Sequence, residues 1–320
     1  MPALFNSRSR WFAAGAVLLP VVFLAGGMTA CTAVKNSTAA VVEASRDALG
    51  KAAPGTGSTA GKKAALIGVD AVASGVEPGF SDTYRPHLQR LLEKECPGLR
   101  FDDALAAGLK APPGIAAALP DGDALALLGR RQGVDFFVVG TLMDVKLEQE
   151  PTGFWLWKDT RYWIRAVMRT EVVDSATGAK LLDDSRTDRI EIDSLKHEEL
   201  QQSQIVRLPD VQPALERMLR TSSRQLCRTL RERPWQAFVV AAEGGVIELS
   251  AGSDAGLAAG RVLEVFGLGA PMVSKDGQRF TPIGEKLGEA TVSAVTRESA
   301  RAAFERWEQV RNGGTVRLKK

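Results

Sequence analysis

The chain has 320 residues, of which 45% are hydrophobic and 25% are charged, and this composition is typical of a globular protein with room for two domains. The formal net charge is +3, and it falls to +1 if Arg8 and Arg10 leave with an N-terminal signal. A balance this close to neutral gives no indication of a nucleic-acid partner.

The N-terminus predicts a signal peptide over residues 1–30. Arg8 and Arg10, with no acidic residue before them, precede an apolar run from Trp11 to Ala25. The run has about 15 residues, whereas a helix that spans a bilayer needs roughly 20. We therefore expect a secretory signal.

The residues "MTAC" at positions 28 to 31 resemble a bacterial lipobox, with Met28 where most such signals have Leu. The resemblance implies that Cys31 becomes the diacylated N-terminus of the mature chain, which would contact the membrane through this lipid. Thr32 stands where inner-membrane lipoproteins often have Asp, which implies the periplasmic face of the outer membrane. Ordinary cleavage near Ala30, with Cys31 unmodified, is the alternative.

Residues 31–61 are rich in Ala, Gly, Ser and Thr and predict a flexible tether between the lipid and the fold. An α/β domain is expected over residues 62–233, because apolar strand patterns at 63–72 and from Asp135 alternate with helical patterns at 84–96 and 121–134. In the helix predicted over 84–96, Leu88, Leu91 and Leu92 lie on one face.

The second half of this domain predicts a long hairpin and a closing helix. From Arg161 to Val172 apolar and polar residues alternate, which indicates a half-buried antiparallel strand, and "DSATGAK" predicts the turn to its partner at 181–193. An amphipathic helix should follow, with Asp210 as its N-cap and Pro213 in its first turn. Its polar side is interpreted as a solvated face that carries Arg217, Arg220, Arg224, Arg228 and Arg231.

Residues 234–320 change to short apolar strands separated by glycine-rich turns, which predicts a small β-barrel. Two cysteines remain if Cys31 carries lipid, and Cys96 and Cys227 are then candidates for a disulfide in an oxidising compartment. Two buried free thiols are the alternative.

Two parts of the sequence resemble a known group. "ALALLGRRQGVDFFVVGTLMDV" and "RAVMRTEVVDSATGAKLLDD" are similar to the curli-secretion-channel (CsgG-like) lipoproteins and to the middle domain of flagellar assembly protein T (FlgT), through Gly140, Thr141, Asp174, Thr177 and Gly178. "GGVIELSAGSDAGLAAGRVLEVF", with Gly256 and Gly260, and the segments after it resemble the C-terminal SH3-like domain of FlgT.

The resemblance implies an α/β mixed sheet with helices, of the kind found in anticodon-binding and TolB N-terminal domains, followed by an SH3-like barrel. It also implies a partner in the envelope, either the flagellar basal body or another assembly.

Catalytic chemistry finds little support in the sequence. The two histidines, His87 and His197, are far apart and have no cysteine or carboxylate at metal-ligand spacing. Paired aspartates such as Asp183 and Asp184 lie where turns favour them. We therefore predict no catalytic residue, metal or cofactor.

An aromatic cluster, "TGFWLWKDTRYW" at 152–163, is the candidate partner-binding site, because tryptophan is enriched in interfaces. Its members are Phe154, Trp155, Trp157, Tyr162 and Trp163, with Lys158, Asp159, Arg161 and Arg165 as a polar rim. Packing of these rings against the core is the alternative.

The sequence thus predicts a non-enzymatic lipoprotein that binds envelope proteins, most readily as a FlgT-like assembly or structural factor. Two further readings stay open: an accessory subunit of a secretion or cell-wall machine, and an enzyme with an unrecognised site. Association with further copies of the chain is also open.

Overall fold

The computed structural model describes residues 61–69, 76–108, 122–154, 157–275, 277–310 and 314–319, which belong to one compact unit. The predicted signal peptide, Cys31 and nearly all of the predicted tether lie outside the described residues, as do Trp155 and the side chain of Trp157. Among the described residues, no helix combines the length and the apolar composition that crossing a bilayer requires.

A five-stranded mixed sheet forms the first module, with strand order β2-β1-β3-β4-β5. The central strand β3 pairs in parallel with β1 and antiparallel with β4, and β1 also pairs in parallel with β2. The strand bounds are β1 Lys63–Val69, β2 Arg100–Phe101, β3 Phe136–Phe154, β4 Trp157–Asp174 and β5 Lys180–Ile192. The predicted mixed α/β content is confirmed.

Helices cover both faces of the sheet. On one face, α1 and α5 enclose the larger core through residues such as Leu88 and Leu219. On the other face, α3 packs Leu125 against Ile67 and Phe137. The helix bounds are α1 Phe80–Glu95, α2 Asp103–Gly108, α3 Gly122–Gln132, α4 Ser194–Ser203 and α5 Leu208–Glu232.

Strand β4 follows the predicted alternation. Ile164, Ala166 and Met168 are fully buried under the helices, whereas Arg165 and Arg169 between them are only partly buried on the opposite face. Successive side chains of a strand point to opposite faces, so an apolar residue at every second position is enough to select the buried face.

The start of α5 corrects the sequence prediction. The helix begins at Leu208 with Arg207 as its N-cap, and Asp210 is the third helical residue, whose carboxylate accepts the backbone N–H of Arg207 at 3.2 Å. Pro213 therefore lies in the second turn. An acidic third residue that binds back to the N-cap satisfies one of the N–H groups a helix start leaves free, so Asp210 still stabilises this end.

Gly140 in β3 lets α1 approach the sheet. A Cβ atom at this position would lie 2.0 Å from Cζ of Tyr84, whose ring is buried over the strand. Any side chain here would displace the helix, which is a physical reason for glycine at this place in an otherwise apolar strand.

The second module is a closed six-stranded barrel with neighbour order β11-β12-β7-β6-β13-β8, accompanied by a short β9-β10 hairpin. Gly256 and Gly260 both have φ of +81°, the left-handed backbone that glycine adopts cheaply, in the turns before β8. The strand bounds are β6 Gln236–Glu243, β7 Val246–Leu249, β8 Val262–Leu268, β9 Met272–Val273, β10 Arg279–Phe280, β11 Ile283–Val295, β12 Ala300–Ala303 and β13 Thr315–Leu318. The SH3-like character of this barrel remains a prediction.

A disulfide joins the two long helices. Cys96 caps the C-terminal end of α1 and is bonded to Cys227 in α5, with their Cα atoms 5.6 Å apart. The bond closes a loop with a sequence separation of 131 residues.

Reduction of this disulfide should lower the free energy of unfolding by up to about 5 kcal/mol, because it releases a long loop in the unfolded chain. Urea unfolding with and without reductant measures the difference. Non-reducing peptide mapping of protein taken from the periplasm provides the control, and two alkylatable thiols in that material would contradict the bridge.

Candidate protein-interaction site

The hairpin of β3 and β4 extends beyond the rest of the sheet. The outermost pairing of β5 joins Tyr162 to Ile192. Beyond it five residue pairs, Glu150–Phe154 with Trp157–Arg161, have no third strand beside them in the part of the chain that the structure describes. At roughly 3.4 Å per residue these five pairs project about 17 Å. We call residues 150–154 and 157–161 the β3–β4 arm.

Phe154 lies at the end of this arm with 82% of its surface exposed. It pairs in register with Trp157, whose backbone belongs to β4. A large ring at a projecting tip contributes nothing to the core of its own chain, and most of its apolar surface is accessible to another molecule.

The other two aromatic candidates lie at the base of the arm and on opposite faces. Tyr162 packs on His197 of α4 at 4.4 Å between ring centroids, and His197 is within 3.3 Å of the Gln149 amide nitrogen. Trp163 lies on the other face under Arg189, whose guanidinium carbon is 5.1 Å from the ring centroid. Tyr162 and Trp163 therefore do not belong to one surface, and the partner-binding prediction is kept for Phe154 at the tip.

Two residues of the predicted polar rim already pair with carboxylates of the sheet. Arg165 binds Asp144 at 3.0 Å and Glu148 at 2.6 Å, and Arg161 lies 3.7 Å from Glu191. These pairs cross between neighbouring strands on the open face of the sheet, where opposite charges stabilise the pairing modestly. Adjacent residues that look like one rim in the sequence are thus a solvated sheet face.

A second cluster of charged groups is buried between the sheet and the barrel. Asp135 accepts the backbone N–H of Lys63 at 2.7 Å, and its own backbone bonds Lys63 and Ser175. Lys62 is 2% exposed, and its ammonium donates to the carbonyl oxygens of Leu230 and Arg233, each at 2.6 Å. We call this region the polar junction.

Asp174 completes the polar junction from the turn after β4. Its fully buried carboxylate accepts the Gln236 amide at 3.0 Å and the Thr177 hydroxyl at 2.8 Å, and it lies 3.5 Å from Arg233. Arg130 of α3 donates to the carbonyl of Ala176 at 3.1 Å in the same turn. Gln236 is the first residue of the barrel, so this network joins the two modules.

Burial shifts the pKa of both ionisable groups at the centre. Desolvation raises the pKa of Asp135 to about 7, against the hydrogen bond from Lys63 and the field of Lys62, which lower it. Desolvation lowers the pKa of Lys62 to about 8, opposed by the field of Asp135. Perturbed groups of this kind occur both in catalytic sites and in structural networks, and here they bond backbone groups of their own chain.

In the described part of the chain, no three His, Cys, Asp or Glu side chains are grouped to hold a metal ion. A polar cleft of about 370 Å³ lies between β5 and α5, but its arginines already bind carboxylates, Arg186 to Asp184 and Arg217 to Asp188.

Comparisons with known proteins give weak similarities. No family model matches the sequence, and no curated protein matches it. Among solved structures, a hypothetical protein from Chlamydia trachomatis is 14% identical with a TM-score of 0.32, covering 52% of this chain and 97% of that protein. A minor lipoprotein from Acinetobacter baumannii is 13% identical with a TM-score of 0.25, covering 53% and 92%.

The PelC dodecamer from Paraburkholderia phytofirmans is 12% identical with a TM-score of 0.30, covering 57% of this chain and 94% of PelC. None of these similarities assigns the chain to a family.

Sequence reasoning missed the polar junction. Lys62 and Leu230 are 168 positions apart, and a pattern of local periodicity does not connect them. The available signal was Asp135, an acid placed directly before the most buried strand, where an unpaired carboxylate would be costly.

Asp135 should stabilise the wild type, relative to an Asp135→Asn variant, more in acid than at neutral pH. The folded chain keeps the Asp135 proton up to about pH 7, whereas the unfolded chain releases it near pH 4, so this contribution is complete below pH 4 and is lost as the pH rises through 7. Between pH 4 and 8 the free energy of unfolding of the wild type should fall by a few kcal/mol relative to the variant.

Urea unfolding of both proteins across this range measures the difference, in which titrating groups that do not interact with Asp135 cancel. Lys62, whose pKa the field of Asp135 raises, titrates only at the upper end of the range. Parallel pH profiles for the two proteins would contradict a raised pKa at Asp135.

Proposed function

We propose that this chain is a lipid-anchored envelope protein that catalyses no reaction and docks through its β3–β4 arm on another envelope protein. The observation that carries the proposal is Phe154, 82% exposed at the tip of a hairpin that projects past the sheet. Aromatic residues that fill a pocket on a partner dominate the energy of many interfaces, and a two-stranded arm presents such a ring away from competing contacts.

The finer role is an assembly or structural factor of the FlgT-like kind at the periplasmic face of the outer membrane, with the flagellar basal body or another envelope assembly as the partner. The resemblance in the sequence supports this role, as does the combination of a mixed sheet with a closed barrel. An accessory subunit of a secretion or cell-wall machine would use the same arm, since its docking requires the same exposed ring.

Replacing Phe154 with Ala should abolish most of the capture of the partner while leaving the thermal midpoint of unfolding unchanged. The ring has few contacts within its own chain, so its loss costs binding energy and no folding energy. Crosslinking in cells with a photoreactive group at Thr152, followed by mass spectrometry, measures the capture.

Met272→Ala is the matched control, because Met272 is also a large apolar residue, 52% exposed, on the β9-β10 hairpin. Equal capture by the two variants would overturn the docking site. Capture of a second copy of this chain would identify the arm as a contact for self-association.

Cys31→Ser should release the protein from the membrane fraction, because the proposed lipid is attached through this sulfur. Cell fractionation and mass spectrometry of the N-terminus measure the outcome, and Thr32→Ser, one position away, should stay on the membrane. An unmodified N-terminus together with unchanged membrane retention would contradict the anchor.

A further inference from the structure

Helix α5 exposes a row of arginines. Five of them, Arg217, Arg220, Arg224, Arg228 and Arg231, occur within 15 residues that contain no acidic residue. All five are exposed, whereas Met218, Leu219, Leu226 and Leu230 between them are buried. At about 100° and 1.5 Å per residue, the five side chains fall within roughly 80° of arc and extend over about 21 Å. We call this set the arginine row.

The arginines of this row form fewer ion pairs with carboxylates than the arginines of the sheet do. On the open sheet face Arg161, Arg165 and Arg169 each lie within 4.0 Å of at least one carboxylate. In the arginine row, Arg217 binds Asp188 at 2.7 Å and Arg224 is 3.9 Å from Glu95.

Among the described residues, neither Arg220 nor Arg228 forms an ion pair with an acid. Glu216, the acid on which Arg220 acts electrostatically, is already bound by Gln212 and His87. Arg220 and Arg228, on either side of Arg224, are therefore positive charges that no carboxylate among the described residues pairs with.

Helix α1 lies beside α5 and carries charges of both signs. Arg90 and Lys94 are exposed on its outer side, and the disulfide between Cys96 and Cys227 fixes the two helices together. Glu93 and Glu95 on α1 balance these two cations. The surface is a rigid, two-helix face with its excess of cations on α5.

The point at which the predicted tether joins the fold indicates what the arginine row faces. The predicted tether joins the described chain at Gly61, and the next residue, Lys62, binds the carbonyls of Leu230 and Arg233 at the C-terminal end of α5. A chain anchored by lipid at Cys31 thus enters the fold beside Arg231, at one end of the arginine row.

We infer that the arginine row binds the phosphate headgroups of the membrane that carries the anchor. This inference rests on the lipid anchoring proposed above. Arginine suits the role because its planar guanidinium binds phosphate oxygens in pairs, and each basic residue near an anionic surface adds about 1 kcal/mol of attraction. The lipid holds the chain at the membrane, and the row orients it there.

Vesicle flotation tests this binding without the lipid. The processed chain from residue 31 with Cys31→Ser should float with vesicles of phosphatidylglycerol and phosphatidylethanolamine at low salt, and should remain unbound with vesicles of phosphatidylcholine alone. Salt at about 1 M, where the Debye length is roughly 3 Å, should release it.

The triple variant Arg220→Gln, Arg224→Gln and Arg228→Gln should bind the anionic vesicles at least tenfold more weakly, since it removes three surface charges and keeps good helix-forming side chains. Arg131→Gln, Arg261→Gln and Arg301→Gln form the matched control, because these exposed arginines lie on α3 and on the barrel and the net charge changes equally. Thermal unfolding of both triples should match the wild type.

Three results would overturn the inference: equal weakening by the two triple variants, equal binding to neutral vesicles, or no binding of the parent chain at low salt. Binding of soluble polyglutamate without binding to vesicles would point to an acidic protein instead and would also overturn it. The anchor is tested separately by fractionation of Cys31→Ser, and the arm by Phe154→Ala, which should float like its parent. Failure of the arginine row therefore leaves the proposed function standing.

Discussion

The bond between Asp135 and Lys63 organises the remainder of the molecule. One residue bonds the start of β1 through both its carboxylate and its backbone, and it also accepts the backbone N–H of Ser175 in the turn after β4. Lys62, the residue before β1, then fixes the end of α5 through two carbonyl oxygens. A buried carboxylate and ammonium lose their hydration, and removing one partner from such a network typically costs 3–5 kcal/mol. The polar junction therefore specifies how the sheet, the closing helix and the barrel meet.

The inner part of the β3–β4 hairpin is held by neighbouring strands, which allows its outer part to project from the fold. The first part of β3, up to Thr141, pairs with both β1 and β4, and from Leu142 onward β3 pairs with β4, which has β5 beside it only as far as Tyr162. An isolated two-stranded hairpin is marginal in water, so the arm depends on the sheet and the ion pairs at its base. Phe154 at its end is mostly exposed and contributes little to the folded core.

Local periodicity explains which parts of the fold the sequence predicted. Ile164, Ala166 and Met168 alternate with charged residues and lie on the buried face as expected, and the apolar side of α5 also lies where the helical pattern placed it. The same alternation separates Tyr162 from Trp163, which proximity in the sequence had grouped together. Helix starts were less predictable, since α1 begins at Phe80 and includes Pro86. The polar junction could not be predicted from the sequence, because its residues are far apart in the chain and come together only when the strands pair.

The β3–β4 arm and the arginine row are related in space because both are built on the same sheet. Strand β3 starts beside the polar junction and ends at Phe154, and its 19 residues span about 60 Å at roughly 3.4 Å per residue. Helix α5 packs on the same sheet, with Arg231 near the polar junction and Arg217 bound to Asp188 of β5, part-way toward the arm. If the arginine row lies on the headgroups, the sheet lies above the helices and β3 runs along the membrane more than away from it. The arm then meets a partner that is itself close to the membrane surface, which fits an envelope assembly better than a protein that diffuses through the periplasm.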